Sequence, residues 1–194
     1  MQYDTISAKI TKGAVNVKND IERVLISREK IAEKVREIGK RVTSDYQGRN
    51  PILIGVLKGC TLFMSDLARE IDLHCEFEFM KVSSYGSGTK TSGAVEIQMD
   101  VGCDIAGRDI IIVEDILDSG LTLSYLMAQL KTRNPASVKI CTFLEKPSRH
   151  LVDIPIDYLG FEVDDVFVVG YGLDFDGKYR NLPYVGELKK EMYE

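Results

Sequence analysis

The sequence predicts an α/β fold with a mainly parallel, twisted sheet flanked by helices. Short apolar runs typical of buried strands alternate with segments whose apolar residues recur every three or four positions. Crossover helices of this kind join parallel strands and cover both faces of the sheet. The length of 194 residues suits one compact domain with room for a small subdomain.

The first half of the chain supplies two helices and a strand. Residues 1–18 have no strong period, and we predict an N-terminal extension of unknown role there. Apolar residues after Ser27 repeat at helical spacing, which predicts an amphipathic helix that Ser27 caps and that ends by Gly48. An apolar strand is predicted at 52–57, and a second helix at about 62–69.

The middle of the chain contains a polar interruption. The segment around Phe77 and Phe79 alternates in polarity, which predicts a half-exposed strand. Residues 83–94 are rich in Gly, Ser and Thr and predict a mobile loop or hairpin flap, after which a strand returns at 95–99. Further on, the pattern predicts a strand at 110–113, a helix starting near Gly120, a buried strand from 137, and short strands in the tail.

Charge and cysteine usage exclude several classes of protein. A net charge of −5 and a pI near 5.2 argue against general nucleic-acid or membrane-surface binding. No apolar stretch is long enough for a membrane span, and the first residues lack the apolar core of a signal peptide. Four scattered cysteines without a CxxC pair, and only two histidines, favour reduced thiols in a cytoplasmic protein over a zinc site.

Three carboxylates and an anion-binding pattern meet in the stretch IIIVEDILDSGLT, residues 110–122. Backbone N–H groups of residues 118–122, at the start of a helix, suit a phosphate. Glu114 and Asp115 would then face neutral hydroxyl groups or a divalent cation, so a sugar phosphate fits. Two other interpretations stay open on these residues alone: ordinary solvated acids before a helix, and the acidic pair of a receiver-type signalling domain.

The segment IIIVEDILDSGLTL closely resembles the phosphoribosyl pyrophosphate signature of type I phosphoribosyltransferases, and in particular of bacterial hypoxanthine-guanine phosphoribosyltransferases. Supporting similarity lies in GVLKG at 55–59, SSYGSGTKTSG at 83–93, FLEKP at 143–147 and FVVGYGLDFDGKYRNLPYVG at 167–186. These motifs occur in family order over about residues 19–187. The resemblance implies a single phosphoribosyltransferase domain over 19–194, with the flap at 83–94 and a small C-terminal hood.

The resemblance implies transfer of a phosphoribosyl group from phosphoribosyl pyrophosphate to hypoxanthine or guanine. The expected products are IMP or GMP and pyrophosphate, with Mg²⁺ as cofactor. The expected partners are these small molecules and further copies of the chain, as a homodimer or homotetramer, without nucleic acid or membrane. Two alternatives remain: a related transferase that prefers xanthine, orotate or uracil, and a regulatory protein on the same fold.

The same resemblance implies roles for the residues that follow the central strand. Asp118 is expected to act as the general base at the purine, or to hold it by a charge-assisted hydrogen bond; a plain helix N-cap is the alternative. Glu114 and Asp115 are expected to engage the ribose hydroxyls, directly or through Mg²⁺, with Asp174 as a further magnesium-associated acid. The expected 5-phosphate loop consists of Asp118, Ser119, Gly120, Leu121 and Thr122.

Purine and pyrophosphate contacts are implied elsewhere in the chain. Lys146 is expected to donate to the 6-oxo group, Phe167 to stack on the base, and Val168 to offer backbone groups. The expected pyrophosphate contacts are Lys58 and Gly59, preceded by a cis Leu57–Lys58 peptide, together with Arg180. Ser84 and Tyr85 are the flap pair expected to close over pyrophosphate.

Overall fold

A computed structural model describes residues 17–84 and 95–194 of the chain. In chain order its strands and helices are β1 (Ile21–Ile26), α1 (Arg28–Asp45), β2 (Ile52–Leu57), α2 (Thr61–Arg69), β3 (Glu76–Ser84), β4 (Val95–Met99), β5 (Asp109–Leu117), α3 (Leu121–Lys131), β6 (Ser137–Glu145), β7 (Tyr158–Glu162), β8 (Val168–Val169) and β9 (Val185–Leu188).

The main sheet has the strand order β4-β3-β2-β5-β6-β7. All neighbours pair in parallel except β3 and β4, which pair antiparallel. The predicted α/β class and mainly parallel sheet are therefore confirmed. The carboxyl ends of β2, β5 and β6 lie side by side at one edge, which is where ligands bind in open parallel sheets.

Side chains of the central strands are buried on both faces of this sheet. On β2, Leu53 joins the core beneath α1 and α2, whereas Ile54 joins the core beneath α3. On β5, Ile111 and Ile112 divide between the two cores in the same way. Burial on both sides is why these strands are continuous apolar runs without alternation.

Helix α1 follows the prediction closely. The Ser27 hydroxyl accepts a hydrogen bond from the Lys30 amide at 3.4 Å, and the apolar side chains at helical spacing are buried. The predicted strand at β2 has the same bounds in the structure. Helix α2 starts one residue before the predicted segment and ends at the same residue.

A second sheet, which we call the hood, has the order β1-β9-β8 and is antiparallel. Its core contains Val169, Tyr179, Leu182 and Leu188. The sequence pattern predicted neither β1 nor β9. Strand β1 is largely exposed and β9 has four residues, so neither carries enough apolar periodicity to be recognised.

Strand β5 is longer than the predicted strand at 110–113. Pairing with β6 continues through Glu114↔Thr142, Ile116↔Leu144 and Leu117↔Glu145. Glu114 and Asp115 therefore lie within β5 and not after it. Of the three acids, only Asp118 follows the end of the strand. The acids escaped recognition as strand residues because charged side chains are uncommon at buried positions of a parallel sheet.

The flap and the N-terminal extension are described only at their borders. Ser84 ends β3 and pairs with Val95 at the start of β4, so antiparallel neighbours flank the predicted flap. Tyr85 and the following residues through 94 lie outside the described residues, as do residues 1–16. Val17–Asp20 forms a 3₁₀ turn, and Val17 packs against the hood core. The role of 1–18 stays open.

Two further predictions concern bulk properties. All four cysteines are free, which agrees with the expectation of reduced thiols. Within residues 17–84 and 95–194, no helix combines the length and apolar character needed to cross a bilayer.

Candidate functional site

Three predicted stretches meet at the carboxyl edge of the main sheet. They are Lys58–Gly59 after β2, the acids at the end of β5, and Lys146 after β6. The Lys146 amide donates to the Leu117 carbonyl at 2.9 Å, which fixes the end of β6 to the end of β5. The parallel order of β2, β5 and β6 thus brings the three stretches together.

The loop after β2 lies directly against Asp115. A Cβ atom added at Gly59 would lie 1.4 Å from Asp115 Oδ2, so only glycine fits while that carboxylate keeps its place. Gly172 of the hood approaches the same loop, because a Cβ there would lie 2.1 Å from the Gly59 carbonyl oxygen. The Leu57–Lys58 peptide is cis, as the resemblance implied.

Glu114 and Asp115 are carboxyl groups in an unfavourable environment. The Glu114 Oε2 atom is shielded from solvent and has no hydrogen-bond partner in the described structure. Burial, reinforced by the neighbouring Asp115, raises the pKa of Glu114 well above its usual range. Burial also raises the pKa of Asp115 to about 6, against the opposing influence of the Ile116 amide and Arg180. Such groups suit a cation or hydroxyl donors that arrive with a ligand.

Arg180 and Asp174 form an ion pair close to Asp115. The distance from Arg180 Nη2 to Asp174 Oδ1 is 2.5 Å, and Arg180 Nη1 donates to the Gly172 carbonyl at 2.5 Å. Arg180 is thereby held next to the Gly59 loop, where its predicted pyrophosphate contact would lie. Asp174 neutralises Arg180 and so is only partly available to a metal ion.

The described residues contain no preformed cluster of three metal-ligating side chains. Mg²⁺ commonly binds proteins through one or two carboxylates, with the remaining positions taken by water and substrate phosphates. Glu114 fits that mode because its Oε2 atom has no hydrogen-bond partner among the described residues, and Asp115 accepts at Oδ1 from the Ile116 amide, which leaves Oδ2 for a cation. A role for Asp174 as a ligand stays a prediction.

The predicted 5-phosphate loop begins helix α3. Gly120 precedes the helix with φ of 81°, and a Cβ there would lie 2.9 Å from Val152 Cγ2. The Ser119 hydroxyl accepts from the Leu121 amide at 3.4 Å. Gly120 is the N-cap residue, so the alternative reading of Asp118 as N-cap is wrong. The amides at the start of α3, through Thr122, are suited to an anion, and their contact with a 5-phosphate stays a prediction.

A cavity of about 270 Å³, which we call the inner cavity, lies beside this loop. Acidic, basic, aromatic and aliphatic residues line it: Asp115, Ile116, Asp118, Lys146, Phe167, Val168, Leu173 and Asp174. It brings together the predicted purine contacts and the predicted general base. An adjoining outer cavity of about 340 Å³ shares Asp118, Lys146 and Phe167. The inner cavity has the mixed lining of a small-molecule site.

Lys146 and Phe167 are held in place by the hood. Lys146 is 9% exposed, and its Nζ donates to the Val166 carbonyl at 2.7 Å. The Phe167 ring stacks on Tyr193 with centroids 4.8 Å apart and meets the edge of Phe175 at 5.4 Å. Val168 begins β8 and pairs with Glu187. Each predicted purine contact therefore reaches the cavity from a fixed element.

Sequence reasoning missed several residues of the site. Ile116 and Leu173 line the inner cavity, and Arg149 binds the Asp118 carboxylate, with Arg149 Nε 2.9 Å from Asp118 Oδ1. Pro147 opens the 3₁₀ turn that carries Arg149, and proline at that position was the available signal for the turn. The partner of Arg149 could not be read from the sequence, because 31 positions separate the two residues.

The fold and the site define a class of protein: an α/β protein with a parallel sheet, an anion-binding helix start and buried acids at one edge. Residues 25–176 match the family model described as "Phosphoribosyl transferase domain". The chain belongs to the phosphoribosyl transferase family.

Similarity to named relatives covers almost the whole chain. The hypoxanthine-guanine phosphoribosyltransferase of Bacillus subtilis is 55% identical over 178 residues, which is 92% of this chain and 99% of that protein. A solved hypoxanthine phosphoribosyltransferase of Staphylococcus aureus superposes with a TM-score of 0.89 at 44% identity, covering 95% of this chain and 100% of that one. The resemblance to bacterial hypoxanthine-guanine phosphoribosyltransferases is thereby confirmed.

The chain also matches part of a longer relative. The bifunctional protein TilS/HprT of Listeria monocytogenes is 52% identical over 181 residues, and the chain spans 28% of that protein's length.

Proposed function

We propose that the protein is a purine-salvage enzyme that transfers the 5-phosphoribosyl group of phosphoribosyl pyrophosphate to hypoxanthine or guanine. The products are IMP or GMP and pyrophosphate. The observation that carries the proposal is the meeting of Asp118, Lys146 and Phe167 around one cavity beside the anion-binding start of α3. The names of the relatives at 51% and 55% identity support the same activity.

The inner cavity accounts for recognition of a 6-oxopurine. Lys146 is nearly buried, and its ammonium group keeps further N–H donors after its bond to Val166. One of them donates to the 6-oxo group of the base. Adenine presents an amino group at that position and offers the lysine no acceptor there, which disfavours its binding. Phe167 provides the aromatic surface on which the base stacks.

Asp118 handles the proton on the five-membered ring of the purine. It lines the inner cavity together with Lys146, so one planar base can reach both side chains. As the bond between ribose and pyrophosphate breaks, positive charge develops on the sugar, and a carboxylate nearby stabilises it. Backbone amides at the start of α3 hold the 5-phosphate and keep the sugar in line with the base.

Mg²⁺ is part of the proposal, and when bound it neutralises charge on the departing pyrophosphate. Glu114 and Asp115 are the residues that hold it or the ribose diol. Arg180 and the Lys58–Gly59 loop bind pyrophosphate itself. The Arg180 guanidinium is fixed by Asp174 and by the Gly172 carbonyl, so its position is set before the substrate arrives.

A steady-state assay tests the proposal. The protein is supplied with phosphoribosyl pyrophosphate, Mg²⁺ and one base at a time from hypoxanthine, guanine, xanthine, adenine, orotate and uracil. We expect IMP and GMP to form and adenine to be rejected. Conversion of orotate or uracil without conversion of any 6-oxopurine would overturn the assignment of the base and leave the family intact.

Location and assembly complete the proposal. We infer a cytoplasmic enzyme that acts on small molecules as a homodimer or homotetramer. Sedimentation velocity of the purified chain tests the assembly. A single monomeric boundary at micromolar concentration would contradict it.

A further inference from the structure

The turn that follows Lys146 is bound to the phosphate loop on both sides of Asp118. The Lys146 amide donates to the Leu117 carbonyl at 2.9 Å, and the Leu151 amide donates to the Ser119 carbonyl at 3.0 Å. Two backbone hydrogen bonds of this kind fix the separation between the turn and the loop. A side chain on the turn between these two points is thereby set opposite Asp118.

Arg149 is the side chain in that position. Arg149 Nε lies 2.9 Å from Asp118 Oδ1, and Arg149 Nη1 lies 3.7 Å from Asp165 Oδ2. The side chains of Arg149 and Asp118 are 50% and 44% exposed. An ion pair so exposed contributes little to folding stability. Its effect is therefore on the orientation of the carboxylate.

The two cavities differ in their contact with Arg149. Asp118 lines both the inner and the outer cavity, whereas Arg149 lines the outer one. The guanidinium binds Oδ1 at the outer cavity. The other carboxylate oxygen has no protein donor in the described structure and stays free for a ligand.

We propose that Arg149 is a positioning residue that orients Asp118 toward the base. The inference rests on the proposed function, because it assigns Asp118 the proton of the purine. Asp118 follows the end of β5 and is half exposed, so its side chain would otherwise rotate among several rotamers. Holding one oxygen selects the rotamer in which the second oxygen faces the base.

The experiment compares Arg149→Gln and Arg149→Lys with wild type in the 6-oxopurine assay. Arg133→Gln is the matched control, since Arg133 pairs with Asp100 away from both cavities. We expect Arg149→Gln to lower kcat about tenfold, within the loss that a small misplacement causes, and to leave the KM for phosphoribosyl pyrophosphate unchanged. Arg149→Lys should recover at least about a third of wild-type kcat, because it retains a charged donor.

A second substitution separates positioning from a general structural role. In an Asp118→Asn background, Arg149→Gln should change kcat less than about twofold, since residues that act as a unit are not additive. Three results would overturn the proposal: wild-type kcat in Arg149→Gln, no advantage of lysine over glutamine, or the same tenfold loss without Asp118. If wild type converts 6-oxopurines and one of these results is found, the inference fails and the proposed function stands.

Discussion

Acids three and four positions apart in one segment occupy opposite environments. Glu114 and Asp115 lie within β5 and are half-buried, and desolvation raises the pKa of both. Asp118 comes after the strand, is 44% exposed and is held by Arg149. The end of β5 separates the two environments, because Glu114 and Asp115 belong to the strand whereas Asp118 lies on the loop that follows it.

The two environments of these acids serve different purposes. Buried carboxyl groups without partners destabilise the free protein and are retained where a ligand will compensate for them. An exposed carboxylate with one charged partner costs little and keeps its freedom to change partners. We therefore expect Asp118 to matter for turnover and Asp115 to matter for stability as well as for ligand binding.

The largest effect should come from Asp118→Asn. Asparagine keeps the shape of the side chain but cannot take a proton, so we expect kcat to fall by about 100-fold or more, the usual contribution of a general base. Thermal unfolding should change little, because the ion pair with Arg149 is exposed. Steady-state kinetics with hypoxanthine and differential scanning calorimetry measure the two quantities. Wild-type turnover in this variant would remove Asp118 from the chemistry.

A smaller effect is expected from Gly59→Ala. The new Cβ would overlap Asp115 Oδ2, so the loop or the carboxylate must move. We expect kcat/KM for phosphoribosyl pyrophosphate to fall about 10- to 100-fold, as misplaced binding groups cause. Gly102→Ala is the control, because its Cβ would lie 3.9 and 4.0 Å from the two carboxylate oxygens of Glu78, which is ordinary contact. Equal activity of the two variants would contradict the tight contact between the loop and β5.

The sequence predicts most reliably the elements whose surroundings are uniform. Strand β2 and the core of β5 are buried on both faces, and α1 has one apolar face, so each shows a clear period. The hood strands β1 and β9 are short or exposed and take their structure from pairing over long separations. Local sequence carries no signal of that pairing.

The candidate site also has one part that the sequence predicts and another part that only the fold reveals. Its anion-binding loop and its acids follow from one contiguous motif, residues 110–122, and from the resemblance that this motif carries. Arg149 belongs to the site through a contact between a turn and a loop that only the fold brings together. The crowding of Gly59 against Asp115 likewise depends on packing between adjacent strands.

Lys146→Ala tests how the protein recognises the base. Removing a nearly buried charged donor should raise the KM for hypoxanthine about 10- to 100-fold, since a hydrogen bond to a charged group contributes about 1.5–3 kcal/mol. The KM for phosphoribosyl pyrophosphate should stay the same, because the lysine lines the base cavity. Lys34→Ala, which removes an ion pair with Glu37 on α1, is the control. Unchanged affinity and selectivity for the base would contradict the role of Lys146.

Without ligands, Asp115→Asn should change how the stability of the protein depends on pH. Burial raises the pKa of Asp115 from 3.8 to about 6 in the folded protein. A carboxyl group with a raised folded pKa stabilises the fold below about pH 4, and this contribution is lost as pH rises through about 6. Asparagine does not ionise and can still accept from the Ile116 amide, as Asp115 does at 2.8 Å. The variant should therefore be more stable than wild type by up to about 3 kcal/mol at pH 7.5 and nearly equal to it at pH 4.

Urea denaturation at pH 4, 6 and 7.5 measures this difference. Asp104→Asn removes a carboxylate from an exposed turn, where it accepts from the Ala106 amide, and controls for the change in net charge. Glu114 shifts in the same direction, so Asp115→Asn should reduce the loss of stability with rising pH without abolishing it. If the variant were less stable than wild type at pH 7.5, the attraction of Asp115 to Arg180 would outweigh the cost of its burial. The contrast between buried and exposed acids would then no longer hold.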